Sequence, residues 1–191
     1  MNVNNYDNFY KEYIDKRLIL KTPSIIFDKF KSYLNDYSSV LDIGCGMSLD
    51  SFELSKINLN IVGIDNSIKM LSYAKNIHNN LNLILMDFNN LAFSNKFNSI
   101  WCRNVLQHYC LSDFEKNILN MSNFLEKNGI LYFSVPINSN IKKKNESITF
   151  VKIFQYDYDK IETILKKKFE INDIFIEHLK LDWYNFFCKL I

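Results

Sequence analysis

Glycine and proline are scarce in this chain, which has only four glycines and two prolines among its 191 residues. No stretch rich in either residue divides the sequence, and no internal repeat does so. A chain of this length can bury one full hydrophobic core. We therefore expect a single domain over residues 1–191, with an N-terminal helical cap over residues 1–35 and a core over residues 39–191.

Long apolar runs are missing as well. No segment approaches the roughly 20 apolar residues that a membrane-spanning helix needs. The first residues of the sequence lack the basic-then-apolar order of a signal peptide. Together these two absences predict a cytoplasmic protein with no membrane partner.

Charge and cysteine content give no signal for a polyanion or a metal. The net charge of +2 is too small to predict a polyanionic partner by itself. Two lysine runs, at residues 142–144 and 166–168, leave a nucleic-acid partner open, but a solvated loop and a solvated helix end explain them more simply. The four cysteines contain no C-x-x-C pair and no metal-like grouping with the three histidines, so we expect reduced thiols and no metal.

Short apolar segments alternate with amphipathic segments through most of the chain. Near-continuous apolar strands between amphipathic helices predict a parallel sheet with helices on both faces. This is the doubly wound α/β architecture, in which ligands bind at the carboxyl ends of the strands. The predicted strands occupy residues 40–43, 60–64, 81–86, 98–101 and 129–135, and the predicted helices occupy residues 7–20, 23–34, 49–56, 67–79, 112–125 and 157–168.

Three of the predicted helices carry capping signals at their starts. Thr22 stands before Pro23, which is a favourable way to begin a helix. Ser67 is in position to cap the helix that follows the second strand. Ser112 is followed three residues later by Glu115, which is the pattern of a capping box.

The end of the chain departs from the alternation. Residues 169–178 and 183–190 have strand character, and only the short link of residues 179–182 joins them. A parallel crossover needs a dozen or more residues, so the two strands must form an antiparallel hairpin at one edge of the sheet. The sequence therefore predicts seven strands, of which the last is antiparallel.

The most informative motif follows the first predicted strand. An apolar strand there runs into Gly44-Cys45-Gly46, which lets the backbone approach a ligand closely. Asp65 comes about 20 residues later, where such folds bind a ribose. A dinucleotide site would need a glycine where Leu49 stands, so a nicotinamide-dependent oxidoreductase is the weaker interpretation.

The run L-D-I-G-C-G, from Leu41 to Gly46, resembles motif I of the class I S-adenosylmethionine-dependent methyltransferases, with Ser48 in place of the usual third glycine. A seven-stranded sheet with a reversed last strand is a hallmark of the same family. The similarity covers nearly the whole chain, from about Tyr6 to Leu190. It implies a Rossmann-like fold, S-adenosylmethionine as the cofactor and methyl transfer as the activity.

The resemblance also implies which residues hold the cofactor. In the family, the glycine loop lies under the methionine part, and the residue matching Asp42 holds its amino group. The residue matching Asp65 takes the ribose hydroxyls, and those matching Met70 and Asp87 lie beside the adenine. The full set implied in this sequence is Tyr13, Asp42, Gly44, Cys45, Gly46, Asp65, Asn66, Met70, Asp87, Phe88, Cys102 and Arg103.

The sequence indicates the acceptor-binding residues less clearly than the cofactor-binding residues. Tyr6, Tyr10 and Tyr13 share one face of the first predicted helix, which closes over the cofactor in relatives with a similar start, although such a stripe also suits plain packing. His108 is the candidate base for a hydroxyl acceptor, a surface histidine being the alternative. The residues expected to face the acceptor are Tyr6, Tyr10, Gln107 and Tyr109.

The leading hypothesis is methyl transfer from S-adenosylmethionine to a small-molecule acceptor by in-line displacement. Residues 136–156, between the fifth and sixth strands, hold no inserted domain for a large substrate. The sequence lacks the N-P-P-Y motif of amide and adenine nitrogen methylation, and it lacks a cysteine pair for carbon-5 methylation of pyrimidines. An RNA (tRNA nucleoside) or protein methyltransferase and a non-catalytic cofactor-binding partner subunit stay open, as does the oligomeric state.

Overall fold

The computed structural model of the chain describes residues 6, 7, 10, 11, 14, 21–138, 153–179 and 181–191. Within those residues, seven strands form one sheet in the order β3-β2-β1-β4-β5-β7-β6. The strands are β1 (Ser39–Ile43), β2 (Asn60–Asp65), β3 (Asn82–Leu85), β4 (Phe97–Cys102), β5 (Leu125–Pro136), β6 (Phe169–His178) and β7 (Asp182–Leu190).

The strand directions confirm the predicted Rossmann-like sheet. Strands β1 to β5 pair in parallel. Strand β7 lies between β5 and β6 and is antiparallel to both. The tight link between β6 and β7 therefore produces the expected hairpin at one edge of the sheet.

The described residues contain five helices of at least two turns: α1 (Ser24–Lys31), α2 (Leu49–Lys56), α3 (Ile68–Ile77), α4 (Leu111–Ser122) and α5 (Tyr158–Leu165). Two 3₁₀ turns, Phe88–Asn90 and Leu106–His108, follow β3 and β4. Residues 6, 7, 10, 11 and 14 are also helical, and the rest of the first predicted helix lies outside the described residues. None of the helices in this part of the chain combines the length and the apolar character needed to cross a bilayer.

Side chains alternate between the two faces of the sheet along each strand, and both faces of this sheet are buried. On one face, Phe133 of β5 packs against Phe114 of α4. On the opposite face, Tyr132 of β5 packs against Phe30 of α1 and Trp101 of β4. The helices therefore cover both faces, as the apolar strands predict.

Of the two predicted helix caps at the starts of α1 and α3, one is wrong and one is confirmed. The hydroxyl of Ser67 accepts a hydrogen bond from the Met70 N–H at 3.1 Å at the start of α3, as predicted. Thr22 does not cap α1, which has Pro23 at its N-cap position. The Thr22 hydroxyl instead donates to the Asp50 carboxylate at 2.7 Å, a charged acceptor on a neighbouring helix.

The predicted capping box at the start of α4 is also wrong. Cys110 occupies the N-cap position, two residues before Ser112. The Phe114 N–H bonds to the Cys110 carbonyl at 2.8 Å, so the first helical turn closes earlier than predicted. The Glu115 side chain forms an ion pair with Lys167 and does not turn back to the helix start.

Two adjacent isoleucines of α1 test which face of this helix is buried. Ile26 is 1% exposed and Ile25 is 53% exposed. We expect Ile26→Ala to lower the free energy of unfolding by about 2–5 kcal/mol, because it leaves a cavity against the sheet. The matched Ile25→Ala change should stay within about 0.5 kcal/mol. Urea unfolding measures both, and equal effects would contradict the assigned face.

Candidate functional site

The segments that follow β1, β2, β3 and β4 surround a cleft of about 910 Å³, its open mouth included. These segments leave the carboxyl ends of parallel strands, which is where ligands bind in open α/β sheets. Most of the residues predicted from the sequence line this cleft: Tyr6, Asp42, Gly44, Cys45, Gly46, Asp65, Asn66, Met70, Asp87, Phe88, Arg103, His108 and Tyr109.

The glycine loop turns sharply because two of its residues have a left-handed backbone. Gly44 has φ of 67° and Gly46 has φ of 54°, values that side chains disfavour. A Cβ atom on Gly44 would also lie 2.4 Å from the Cγ2 atom of Val105. Ser48, at the third glycine position of the family, has φ of 60° as well, which costs a non-glycine residue about 1–2 kcal/mol.

The Asp65 carboxylate ties this loop to the next helix. Its Oδ2 atom accepts from the Gly46 N–H at 2.8 Å, and its Oδ1 atom accepts from the Ser67 N–H at 2.8 Å. Burial raises the pKa of Asp65, while the two N–H donors act in the opposite direction. Asp65 therefore stands at the point where β1, β2 and α3 meet the cleft.

Asp42, at the end of β1, is a second buried carboxylate of the cleft. It is 3% exposed, and the hydroxyl of Ser51 in α2 donates to its Oδ2 atom. Burial, with the charges of Asp42 and Asp65, raises the pKa of the Cys45 thiol well above its usual value. The Cys45 thiol is therefore protonated and is no nucleophile at neutral pH.

The residues predicted to contact adenine lie together after β2 and β3. Met70 and Phe88 are buried, at 1% and 6% exposure, and both line the cleft. Asp87 accepts from the Asn89 N–H at 2.8 Å and thereby begins the 3₁₀ turn. The Phe88 ring meets the Tyr109 ring edge-on, with centroids 6.0 Å apart, and burial raises the pKa of Tyr109 to about 12.

Three predicted site residues do not line the cleft. Cys102 is fully buried in the core. The ring of Tyr10 packs in a small cluster around Ile14 and Met70, because its helical face turns toward α3. Gln107 is buried and donates to the Asn104 carbonyl at 2.6 Å. Tyr13, predicted to contact the cofactor, lies outside the described residues.

Arg103 lines the cleft, but its charged group is already bound. Its Nη2 atom donates to both carboxylate oxygens of Glu177, at 3.0 and 3.1 Å, and both side chains are buried. Asn185 donates to Glu177 at 3.0 Å, and the Tyr132 hydroxyl donates to Asn185 at 2.7 Å. Although burial acts to lower it, the surrounding negative groups hold the pKa of Arg103 above its usual value. The Arg103 guanidinium therefore fastens the end of β4 to the hairpin.

His108 reaches the cleft from the 3₁₀ turn after β4. Its Nε2 atom lies 2.9 Å from the Tyr6 hydroxyl and 3.1 Å from the Gln107 amide nitrogen. The Tyr6 and His108 rings meet edge-on, with centroids 5.9 Å apart. The structure thus brings the candidate base His108 together with Tyr6 and Gln107, two of the residues that were predicted to face the acceptor.

Sequence reasoning missed several residues of the cleft. Asp50, in the first turn of α2, accepts from the Trp101 indole N–H at 3.3 Å. Asn104 has φ of 58° and its N–H donates to the Ser134 hydroxyl at 3.0 Å. An acidic residue in a first helical turn and an asparagine after a strand are ordinary features, so no sequence signal marked them. The other missed residues are Met47, Leu49, Ile64, Met86, Trp101 and Val105.

No cluster of three or more histidine, cysteine, aspartate or glutamate side chains suited to a metal occurs among the residues that the structure describes. Three carboxylates of the cleft, Asp42, Asp65 and Asp87, lie at or just after the ends of three successive strands, and the fourth, Asp50, belongs to α2. The rings that line the cleft are those of Tyr6, Phe88, Trp101, His108 and Tyr109.

Comparison with known families decides what kind of domain this is. The family model described as "Methyltransferase domain" matches residues 34–184. This chain belongs to the methyltransferase domain family. The matched region contains the glycine loop, the three strand-end carboxylates and most of the hairpin.

Individual relatives match parts of this methyltransferase domain. It is 32% identical over 108 residues to the ubiquinone biosynthesis O-methyltransferase of Pelagibacter ubique, covering 54% of this chain and 43% of the relative. It is 30% identical over 175 residues to the release factor glutamine methyltransferase of Buchnera aphidicola, covering 86% of this chain and 58% of the relative. The chain thus spans about half the length of the curated relatives it matches.

A solved structure shows the same fold. The magnesium protoporphyrin IX methyltransferase of Synechocystis, solved with bound SAH, superposes with a TM-score of 0.75 at 19% identity. The superposition covers 88% of this chain and 81% of that one. At this identity the likeness concerns the fold of the methyltransferase domain.

The Arg103–Glu177 ion pair should matter greatly for the stability of this methyltransferase domain. We expect Glu177→Gln to lower the free energy of unfolding by about 3–5 kcal/mol, because it leaves the Arg103 charge buried without its counter-charge. The control is Glu115→Gln, which breaks the partly exposed pair with Lys167 and should cost at most about 1 kcal/mol. Denaturant unfolding compares the two, and similar small losses would show that the buried pair contributes little.

Proposed function

We propose that this chain binds S-adenosylmethionine in the cleft and transfers its methyl group to a small-molecule acceptor. The observation that carries the proposal is the Asp65 carboxylate, which joins the glycine loop to the start of α3 at the carboxyl end of β2. A family that binds this cofactor needs an acidic group and a close-approaching backbone at that point. Membership of the methyltransferase domain family supports the same function.

The residues of the cleft fit the parts of such a cofactor. A carboxylate offers two acceptor oxygens to a pair of ribose hydroxyls, and Asp65 keeps free lone pairs beside its two N–H bonds. Asp42 supplies a negative charge for an amino group, and Asp87 supplies one beside an adenine amino group. Met70 and Phe88 provide apolar walls for the base. The left-handed Gly44 and Gly46 leave room for the methionine part between the loop and β4.

In the proposed mechanism the chain itself has little covalent chemistry to perform. When bound, S-adenosylmethionine supplies a methyl group on a positively charged sulfur, which is already an activated leaving group. The chain has to align the acceptor atom with that methyl group and to exclude water. Such alignment can contribute about 7–11 kcal/mol to lowering the barrier. His108, at the cleft, is the proposed base for an acceptor that must lose a proton.

Several observations favour a small acceptor over RNA. The rings of Tyr6 and Tyr109, both predicted to face the acceptor, line the cleft and suit a compact, partly apolar molecule. In the lysine run at residues 166–168, Lys166 pairs with Glu162 and Lys167 pairs with Glu115, so these charges are partly neutralised. The run at residues 142–144 lies outside the described residues.

We also propose that residues 1–191 act as one domain.

Calorimetric titration with S-adenosylmethionine, with NADH as the control ligand, tests the proposal directly. We expect binding of the sulfonium compound and none of NADH. Binding of NADH alone would overturn the function in favour of an oxidoreductase. Cofactor binding without turnover on any class of acceptor would favour the non-catalytic partner subunit.

Replacing Asp65 tests the ribose contact. We expect Asp65→Ala to weaken binding of S-adenosylmethionine at least tenfold, or by about 1.4 kcal/mol or more, because the ribose hydroxyls lose their acceptor. The control is Glu126→Ala, an exposed acidic residue of β5, which should leave the affinity unchanged. Circular dichroism checks that the fold is kept, and unchanged affinity of a folded Asp65→Ala protein would contradict the assignment.

A further inference from the structure

Asn104, the second residue after β4, is fixed in the cleft by three hydrogen bonds. Its backbone N–H donates to the Ser134 hydroxyl at 3.0 Å, and that hydroxyl donates to the Asn104 Oδ1 atom at 3.1 Å. Its backbone carbonyl accepts from the Gln107 amide at 2.6 Å. These bonds hold Asn104 in its left-handed conformation, with φ of 58°, and they occupy its N–H, its C=O and its Oδ1 atom.

The remaining polar group of Asn104 is its amide nitrogen, Nδ2. The Ser134 side chain is fully buried, so its hydroxyl proton needs an acceptor, and Oδ1 of Asn104 supplies one. This assigns the amide orientation and leaves Nδ2 as a donor of two N–H groups. Among the described residues no group accepts from Nδ2, although Asn104 is half-buried and lines the cleft.

Arg103 brings a positive charge and an unused donor to the same cleft. Successive residues of a strand point to opposite faces, but the left-handed backbone of Asn104 ends that alternation, and both residues line the cleft. The Nη2 atom of Arg103 donates to Glu177. Its Nε atom is buried without a hydrogen-bond partner in the part of the chain that the structure describes. A buried donor of this kind costs free energy unless an acceptor reaches it.

A carboxylate is the ligand group that suits these two side chains. Its oxygens only accept hydrogen bonds, and its charge is opposite to that of Arg103. Glu177 and Asp50 already act on the Arg103 charge. An isolated anion would therefore be repelled, and a carboxylate is favoured on a ligand that also carries positive charges. The other carboxylates that line the cleft are Asp42, Asp65 and Asp87.

We propose that Asn104 and Arg103 form a carboxylate-binding subsite at the carboxyl end of β4. Asn104 is the direct donor, and Arg103 supplies the opposite charge. This inference rests on the proposed function and adds a specific contact to it. S-adenosylmethionine carries its carboxylate together with an ammonium and a sulfonium group, so its charges suit a subsite within an acidic cleft. A carboxylate on the methyl acceptor is the other source of the same chemistry, and the experiment distinguishes the two.

Calorimetric titration with S-adenosylmethionine and with decarboxylated S-adenosylmethionine tests the subsite in the full chain and in Asn104→Asp. The substitution replaces the two N–H donors by an oxygen and keeps Oδ1 for Ser134, and aspartate tolerates a left-handed backbone. We expect S-adenosylmethionine to bind at least about tenfold more weakly to the variant. The decarboxylated compound should bind no more weakly than to the parent chain. Equal weakening of both compounds would overturn the subsite.

Asn104→Gly separates the lost donor from the added charge. Glycine adopts the left-handed backbone readily, so this variant keeps the turn and removes the amide. It should also weaken S-adenosylmethionine and spare the decarboxylated compound. Weakening by Asn104→Asp alone would show that Asn104 donates nothing to the ligand and would overturn the subsite.

Asn128→Asp is the matched control. Asn128 also has a left-handed backbone, with φ of 62°, but it is exposed at the start of β5 and does not line the cleft. The same chemical change on the same kind of backbone should leave both affinities unchanged.

Sodium benzoate probes the acceptor as the source of the carboxylate. It is titrated into the ¹⁵N-labelled chain with and without S-adenosylhomocysteine, and the side-chain amide signals of Asn104 are identified by their absence from Asn104→Asp. If the variants spare both cofactor compounds while benzoate shifts these signals, the subsite stands and belongs to the acceptor. If the variants spare both compounds and benzoate shifts nothing, the subsite is overturned.

The outcome is separable from that of the proposed function. If the parent chain binds neither cofactor compound, the proposed function fails, and the response of the Asn104 amide to benzoate alone decides the subsite. If both compounds bind but neither they nor benzoate depend on Asn104, the proposed function stands and the subsite is overturned.

Discussion

The cleft depends on one carboxylate that is held between two backbone N–H groups. Asp65 ends β2, and its two oxygens fix the glycine loop on one side and the start of α3 on the other. Burying a carboxylate is costly, and hydrogen bonds from N–H groups offset much of that cost. Because the loop and the helix share this one acceptor, a shift of either would leave a buried charge with too few donors. The walls of the cleft are thereby kept at a fixed separation.

A second polar interaction, the Arg103–Glu177 ion pair, joins β4 to the antiparallel hairpin. Arg103 and Glu177 join the end of β4 to the end of β6, and Asn185 of β7 also donates to Glu177, although the Arg103 Nε atom is buried without a hydrogen-bond partner among the described residues. Breaking a buried ion pair is costly because it leaves one charge without its counter-charge. This network links the antiparallel hairpin to the parallel strands beneath the cleft. Asp65 therefore positions the side of the cleft formed by the glycine loop and α3, and the Arg103–Glu177 pair positions the side formed by the end of β4.

The sequence predicted the sheet well and the side-chain partners poorly, for a physical reason. The length of the link between β6 and β7 is a local property, and it alone excludes a parallel pairing. The left-handed turn at Gly44 and Gly46 is likewise encoded locally. The ion pair of Arg103, by contrast, was not predicted, because its partner Glu177 lies 74 positions away in the chain. No spacing rule reveals such a pairing before the hairpin is in place.

The same limit explains the error at Thr22. A threonine before a proline is a local capping signal, but a distant carboxylate on α2 offered a stronger acceptor. Gln107 is a different case, because its partners are local: its amide turns to the Asn104 carbonyl and to the neighbouring His108 ring, and no residue pattern predicts the direction in which an amide turns. The position of β7 between β5 and β6 has a consequence for the order of assembly. Among the described strands β6 pairs only with β7, so β6 joins the sheet only after β7, which follows it in the chain, has been synthesised.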